Sequence, residues 1–342
     1  MNKYEKKNRE AIKKRKRKVR RRRILAVFLF LLVIIGSAAG YILYQTYNAA
    51  KESYSEIENR TDGKSELREE PVHISNDPVS ILLLGIENYT DDYDRGRSDT
   101  IMVATFNPSD QTMKLLSIPR DTRVEIGDLG YKDKINHSYA EGGKELTIET
   151  VEGFLDIPID YFVTVNFDGF INIVDLLGGV NVDVPFDFND INAKWERFYF
   201  TEGEMELDGE EALVYARMRK KDPRGDFGRN DRQKQIVTSV IDKLSSPKTI
   251  TKIDDIAKEI GKNVETNIKI REAIAFRQKF SNFNSSRIEQ LSIQGYDLDI
   301  NSVYYFDPDD QNVEEIQTEL KQHLELLPSE TNDETTYNET NQ

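Results

Sequence analysis

The chain contains no cysteine in 342 residues. Disulfides, thiolate zinc sites and cysteine nucleophiles are therefore excluded. Histidine is scarce: only His73, His137 and His323 occur. They are far apart in sequence, and no pair has metal-ligand spacing, so an imidazole-held zinc has no candidates. Ser98 and Ser117 lack an evident histidine partner, which leaves no activated serine nucleophile. His137 reads as a loop residue with local hydrogen bonds. A long region without disulfides is held by its own hydrophobic core, and its length suffices for one.

Charge is distributed unevenly. The net charge is −14, yet residues 1–23 carry 14 Lys/Arg against Glu5 and Glu10. The remainder holds 33 basic and 59 acidic residues. Between them residues 24–44 run for 21 positions without a charge. As a helix at about 1.5 Å per residue, this run spans roughly 30 Å of hydrocarbon. It is too long and too tightly flanked for an ordinary signal peptide and is read as an uncleaved anchor. The positive-inside rule keeps the basic tail in the cytoplasm and places the large C-terminal part outside the cell. Topology accounts for the basic cluster, so no nucleic acid is expected as a partner.

The expected organisation is a cytoplasmic tail (1–23), a transmembrane helix (24–44), a polar stalk (45–77), one domain (78–325) and a disordered polar tail (326–342). Within the domain, strands are predicted at 79–84, 100–106, 113–118, 161–166, 180–184, 288–293 and 303–306. The turn Asn107-Pro108-Ser109-Asp110 predicts a hairpin. Helices are predicted at 145–155, 167–177, 208–218, 231–244 and 309–324, with two more within 250–280. Asp208 is the expected N-cap of one helix, and Gly178-Gly179 the stop of another. Strands and helices without strict alternation indicate an α/β protein of α+β type, a three-layer α-β-α domain.

Two groups of polar residues stand out. Residues 217–233 put five arginines and two lysines into an otherwise acidic domain. The arginine fork matches phosphate oxygens two at a time, so the segment suits a highly charged anion; a solvated charge run is the plain alternative. Arg229 and Gln233 share a helical face at i,i+4. Arg217 and Arg219 act together only if the helix ends between them. The second group follows the apolar strands: Glu87, Asp99, Arg120 and Asp121 line one rim if those strands are neighbours. Carboxylates without thiols or paired imidazoles are hard oxygen ligands, suited to Mg²⁺, Mn²⁺ or Ca²⁺ rather than zinc; turn and capping roles are the alternative. The apolar helix 167–177, with Tyr161–Val165, is explained by core packing. Trp195, Phe198, Tyr199 and Phe200 form an aromatic group that reads as a lip near a membrane or a tunnel mouth.

These residues resemble the LytR–CpsA–Psr family, membrane-anchored enzymes of Gram-positive cell walls. The resemblance rests on LLLGIE (82–87), RSDTIMVATFNP (97–108), SIPRDTRVEI (117–126), KINHSYAEGG (134–143), VNFDGFINIVDLLGGVNVDVP (165–185) and ALVYARMRKKDPRGDFGRNDRQKQ (212–235). It implies an α-β-α fold with an apolar tunnel for a polyprenyl chain. It implies transfer of a phosphorylated glycopolymer, such as teichoic acid or capsule, from a polyprenyl diphosphate carrier to peptidoglycan. Under it, Arg120, Arg217, Arg219, Arg229 and Gln233 bind the diphosphate, and Asp99 holds Mg²⁺. Asp226 orients the arginines or helps deprotonate the acceptor, and Asp121 is a second candidate base. Glu87 departs from the family, which commonly has Asp there; it keeps the charge one methylene further out as a metal ligand. A polyprenyl-phosphate sensor and a polyprenyl-diphosphate pyrophosphatase are the competing readings of the same residues.

Overall fold

The computed structural model describes residues 53–58, 60–87, 96–246, 249, 256, 263–280 and 283–327. The expected basic tail, the anchor 24–44, most of the helical region 250–262 and nearly all of the tail 326–342 lie outside the described residues. Among the described residues, no helix is long and apolar enough to cross a membrane.

In chain order the elements are β1 (79–86), β2 (98–107), β3 (112–118), β4 (123–125), β5 (132–134), α1 (137–155), β6 (161–166), α2 (167–177), β7 (180–184), β8 (188–191), β9 (197–200), β10 (203–207), α3 (209–217), α4 (226–245), β11 (264–266), α5 (270–279), β12 (288–292), β13 (295–300), β14 (303–308) and α6 (310–323). A six-stranded sheet in the order β11-β6-β1-β2-β3-β12 forms the centre. β1 and β2, and β2 and β3, pair antiparallel, whereas β1 with β6 and β3 with β12 are parallel. The fold is mixed α/β.

Period-two alternation in the central strands sorts their side chains onto two faces. Leu82, Leu84, Ile101, Val103, Leu116 and Ile118 join Ile148 and Val151 of α1 and Ile316 and Leu320 of α6 in one buried cluster. Ile81, Met102, Ala104, Met113 and Leu115 join Phe280, with Val237 and Ile241 of α4 and Phe276 of α5 packed against them. Helices therefore cover both faces. A third cluster joins α2, α3 and α4 to the small strands through Val174, Val182, Phe188, Phe200, Tyr215 and Ile236.

Several expectations are met at named residues. Asp208 caps α3 by accepting from Glu211 N at 2.9 Å, and Glu211 returns a bond to complete a capping box. Gly178 ends α2 in the left-handed conformation, φ 80. Other boundaries need correction. α4 starts at Asp226 rather than 231, because polar Arg229, Asn230 and Arg232 are buried there and hide the helical period. α1 begins at His137, with a break at Gly143 (φ 68). The short pairs β4-β5, β8-β9 and β7-β10 and the hairpin β13-β14 include strands absent from the sequence reading. Between 250 and 280 the described residues hold β11 and α5, with Ile256 and Asn263 also helical; most of 250–262 lies outside the described residues.

Candidate active site

The site forms where β1, β2 and β3 finish. The β1-β2 register runs Gly85↔Thr100 and then Ile86↔Ser98, so Asp99 is the extra residue of a bulge. Bulges re-aim side chains, and this one places Asp99 beside the turn that follows β3. Arg120 Nη1 donates to Asp99 Oδ1 at 2.7 Å. The turn holding Arg120 is pinned: Thr122 Oγ1 donates to Pro119 O at 2.5 Å, and Asn136 N to Arg120 O at 3.2 Å. Phe306 N of β14 donates to Asp121 O at 2.9 Å.

A chain of alternating charge runs through this turn. Lys134 Nζ donates to Asp121 Oδ1 at 2.8 Å, and Asp121 Oδ2 lies 3.5 Å from Arg120 Nε. Burial opposes the charge on Asp121, but Lys134, Arg120 and Arg219 together hold its carboxyl below the usual value. Burial likewise opposes charge on Arg120, and Asp99, Asp121 and Asp226 outweigh it, raising that guanidinium.

The arginine segment supplies the opposite wall. α3 ends at Arg217, and Met218 leaves the helix with ψ 128. This break lets Arg217 and Arg219 serve neighbouring positions, as their joint use requires. Arg217 Nη2 donates to Glu87 Oε1 at 2.8 Å, and its guanidinium carbon sits 4.6 Å from the Phe167 ring centre. Arg219 Nε lies 3.0 Å, and Arg229 Nη2 3.2 Å, from Asp226 Oδ1. Arg229 is 5% exposed. Burial lowers its pKa, and the charges of Arg120 and Arg219 reinforce that against Asp226 and Asp99. Buried Gln233 donates through Nε2 to Ala216 O at 3.4 Å, so it sits behind the arginines against the end of α3.

Two arginines of the segment stand apart. Arg232 is fully buried, bonded to Asp222, Tyr215 O and Met218 O. It is a structural strut for the 218–225 loop. Asp222 packs so closely that a Cβ on Gly228 would fall 1.8 Å from its Oδ2. Arg224 pairs outward with Asp231 at 2.7 Å.

The structure thus gathers Glu87, Asp99, Arg120, Asp121, Arg217, Arg219, Asp226 and Arg229 around the strand ends. It adds residues that sequence reasoning missed, Lys134, Phe227, Tyr304 and Phe306, and brings Phe167 of the apolar helix 167–177, read as core, against Arg217. Phe227, Tyr304 and Phe306 close a small hollow with Pro119, Asp121 and Asp226, and the Phe227 and Phe306 rings meet edge to face at 5.5 Å. Lys134 ends the short strand β5 in a polar stretch, and nothing local marks it. His137 instead bonds Asp133 at 2.7 Å, a local partner as expected. Among the described residues, no group of three or more His, Asp or Glu could hold a metal. Glu87 and Asp99 offer two carboxylates on adjacent strand ends. That donor set fits Mg²⁺, which takes one or two carboxylates and completes its shell with water and substrate phosphate.

The LytR_cpsA_psr family signature matches residues 40–322. A Bacillus subtilis (strain 168) protein named polyisoprenyl-teichoic acid–peptidoglycan teichoic acid transferase TagV is 51% identical over 311 residues, covering 89% of this chain and 79% of its own. The crystal structure of B. subtilis TagV is 53% identical, with a TM-score of 0.68, and covers 74% of this chain and 99% of that one. A structure described as TagT bound to LIIa-WTA is 33% identical, with a TM-score of 0.67, and covers 80% and 100%. With the signature spanning most of its length and relatives this similar, the chain belongs to the LytR_cpsA_psr family.

Proposed function

We propose that this protein transfers a phosphorylated glycopolymer of the teichoic acid type from a polyprenyl diphosphate carrier to peptidoglycan, forming a phosphodiester outside the cell. Residues 24–44 anchor it in the membrane. The observation that carries the reading is the junction at Arg217. Its guanidinium reaches Glu87 on one side and lies on the Phe167 ring on the other. The paired residues Leu83 and Val163, and then Val165 two positions before Phe167, are only half-buried although they sit on interior strands. A charged head and an apolar wall meet at this point, as a lipid diphosphate requires.

Each arginine of the site is paired with a carboxylate in the absence of substrate. The diphosphate takes the guanidinium groups of Arg120, Arg217, Arg219 and Arg229, and frees Glu87 and Asp99 for the metal. Mg²⁺ supplies further charge neutralisation at the phosphates. A hydroxyl oxygen of the acceptor glycan attacks the phosphorus bonded to the polymer. The bond to the bridging oxygen breaks, and polyprenyl phosphate leaves with the electron pair. Asp226, which faces Arg219 and Arg229, and Asp121, bonded to Lys134, are the two candidate proton acceptors. Fixed cations stabilise charge as it moves to the leaving phosphate, which is what phosphoryl transfer asks of a protein.

The test is to incubate the full chain in detergent with a synthetic lipid-linked disaccharide diphosphate, peptidoglycan oligomers and Mg²⁺, reading products by mass spectrometry. A glycan phosphodiester on peptidoglycan, absent with Arg120→Ala, is the expected result. Sugar phosphate released to water alone points to a pyrophosphatase. Tight lipid binding with no product points to a sensor.

A further inference from the structure

The hairpin β8-β9 faces two ways. Phe188 and Phe200 pair across it and point inward, their rings stacked at 4.6 Å within the third core cluster. The adjacent pairs Asn189↔Tyr199 and Ile191↔Arg197 alternate with buried Phe188 and Phe200, and their side chains form the outer face. Tyr199 is 69% exposed and Trp195, at the tip, 82%. This display is built. Asn192 Oδ1 accepts from Lys194 N and Glu196 N at 3.0 and 2.9 Å, and Trp195 is held at φ 64, a conformation bulky residues rarely adopt.

Two cations of this face are held by an amide side chain. Arg197 Nη1 donates to Asn189 Oδ1 at 2.5 Å, and Lys221 Nζ to the same oxygen at 3.0 Å. Among the described residues neither has a carboxylate within ion-pair distance. They stand out in a chain that after residue 23 carries 59 acidic against 33 basic residues. Tryptophan and tyrosine with arginine and lysine is the composition of a membrane interface, where rings sit at headgroup level and cations meet lipid phosphates.

We propose that the β8-β9 tip docks on the bilayer, with Trp195 and Tyr199 at the headgroup boundary and Arg197 and Lys221 on anionic phospholipid. The proposal rests on the reading of 24–44 as an anchor, which ties the domain near a membrane through the residues between that run and β1. An acidic domain on a tether is otherwise repelled by an anionic surface. The hairpin supplies the one contact that fixes its orientation, so that the site next to Lys221 faces the layer from which the carrier comes.

Trp195 is the sole tryptophan, so its fluorescence reports this contact alone. The full chain is reconstituted into vesicles of phosphatidylcholine and phosphatidylglycerol in equal parts, with acyl chains brominated or not. Flotation with the vesicles tests the anchor separately. The expected result is blue-shifted emission quenched by brominated lipid, and loss of both in Arg197→Glu/Lys221→Glu with flotation and circular dichroism unchanged. Emission that stays water-exposed and unquenched in floated protein overturns the proposal and leaves the anchor standing. Failure to float removes the anchor and the proposal with it. A shift appearing only when wall glycan or another protein is added also overturns it.

Discussion

Arg229 Nη2 lies 3.2 Å from Asp226 Oδ1, yet neither atom has a hydrogen bond. Arg229 Nε is also without one. Buried donors are rarely left in this condition, and the exceptions mark function. The donors await oxygens that arrive with the substrate. Arg229→Met is expected to reduce transfer by at least about a hundredfold, the scale of losing one preorganised donor to a developing charge. The melting temperature should change little, because Asp226 keeps Arg219 at 3.0 Å and is not left without a counter-charge. Paired activity and thermal denaturation measurements decide the matter; a large fall in stability would show the residue to be structural.

The link from Lys134 to Asp121 sets a pH dependence. Asp121 is depressed in the folded state, so its contribution to stability is present above the unfolded value near 3.8 and is lost as pH falls through the lower folded one. In Lys134→Met, burial of Asp121 remains while its principal partner is gone, so its pKa rises. The acid limb of the kcat/KM profile should move to higher pH. A limb that stays in place would falsify a role for this pair in holding Arg120.

Gly228 is required by space rather than by backbone angle. An alanine there places Cβ against the Asp222 carboxylate and forces it from Arg232, whose side chain is 1% exposed. Breaking a buried pair costs about 3 kcal/mol or more. Gly228→Ala should therefore lower the urea midpoint markedly, and Gly153→Ala, where nothing lies within 4 Å, should leave it within experimental error.

Glu87 and Asp99 predict a metal requirement that belongs to the loaded enzyme. Glu87→Gln and Asp99→Asn should each raise the Mg²⁺ concentration for half-maximal transfer by at least roughly tenfold, a loss seen even for outer partners of a metal. Glu87→Asp should shift it less. Chelation should stop turnover without altering circular dichroism, since the described residues hold no group of three metal-ligating side chains.

The polar residues of the site were legible because each one follows a clear apolar strand or sits in the arginine segment. Strand ends at Leu84, Thr100 and Ile118 could be read from β-branched and aliphatic runs, and the turn at 107–110 joined two of them. The helix carrying Arg229 and Gln233 was placed too late, since its first turns bury charge and break the period on which such readings depend. Lys134, Tyr304 and Phe306 were not legible: they lie in short strands whose pairing is long-range, and no local pattern announces where a distant hairpin will land.

The sequence by itself determined the composition of the chemistry: no thiol, no imidazole pair, a set of arginines and carboxylates, and aliphatic strands with enough apolar surface for a core. These follow from side-chain identity and from periodicities of two and 3.6 that act within a few residues. Only the tertiary structure decided which charges meet. The bulge at Asp99 brings it to Arg120, the end of α3 carries Arg217 to Glu87, and buried Arg232 is withdrawn to Asp222. Such pairings depend on sheet order and helix packing across 10 to 130 positions, where the free energy of burying one apolar face selects the partner that sequence spacing leaves open.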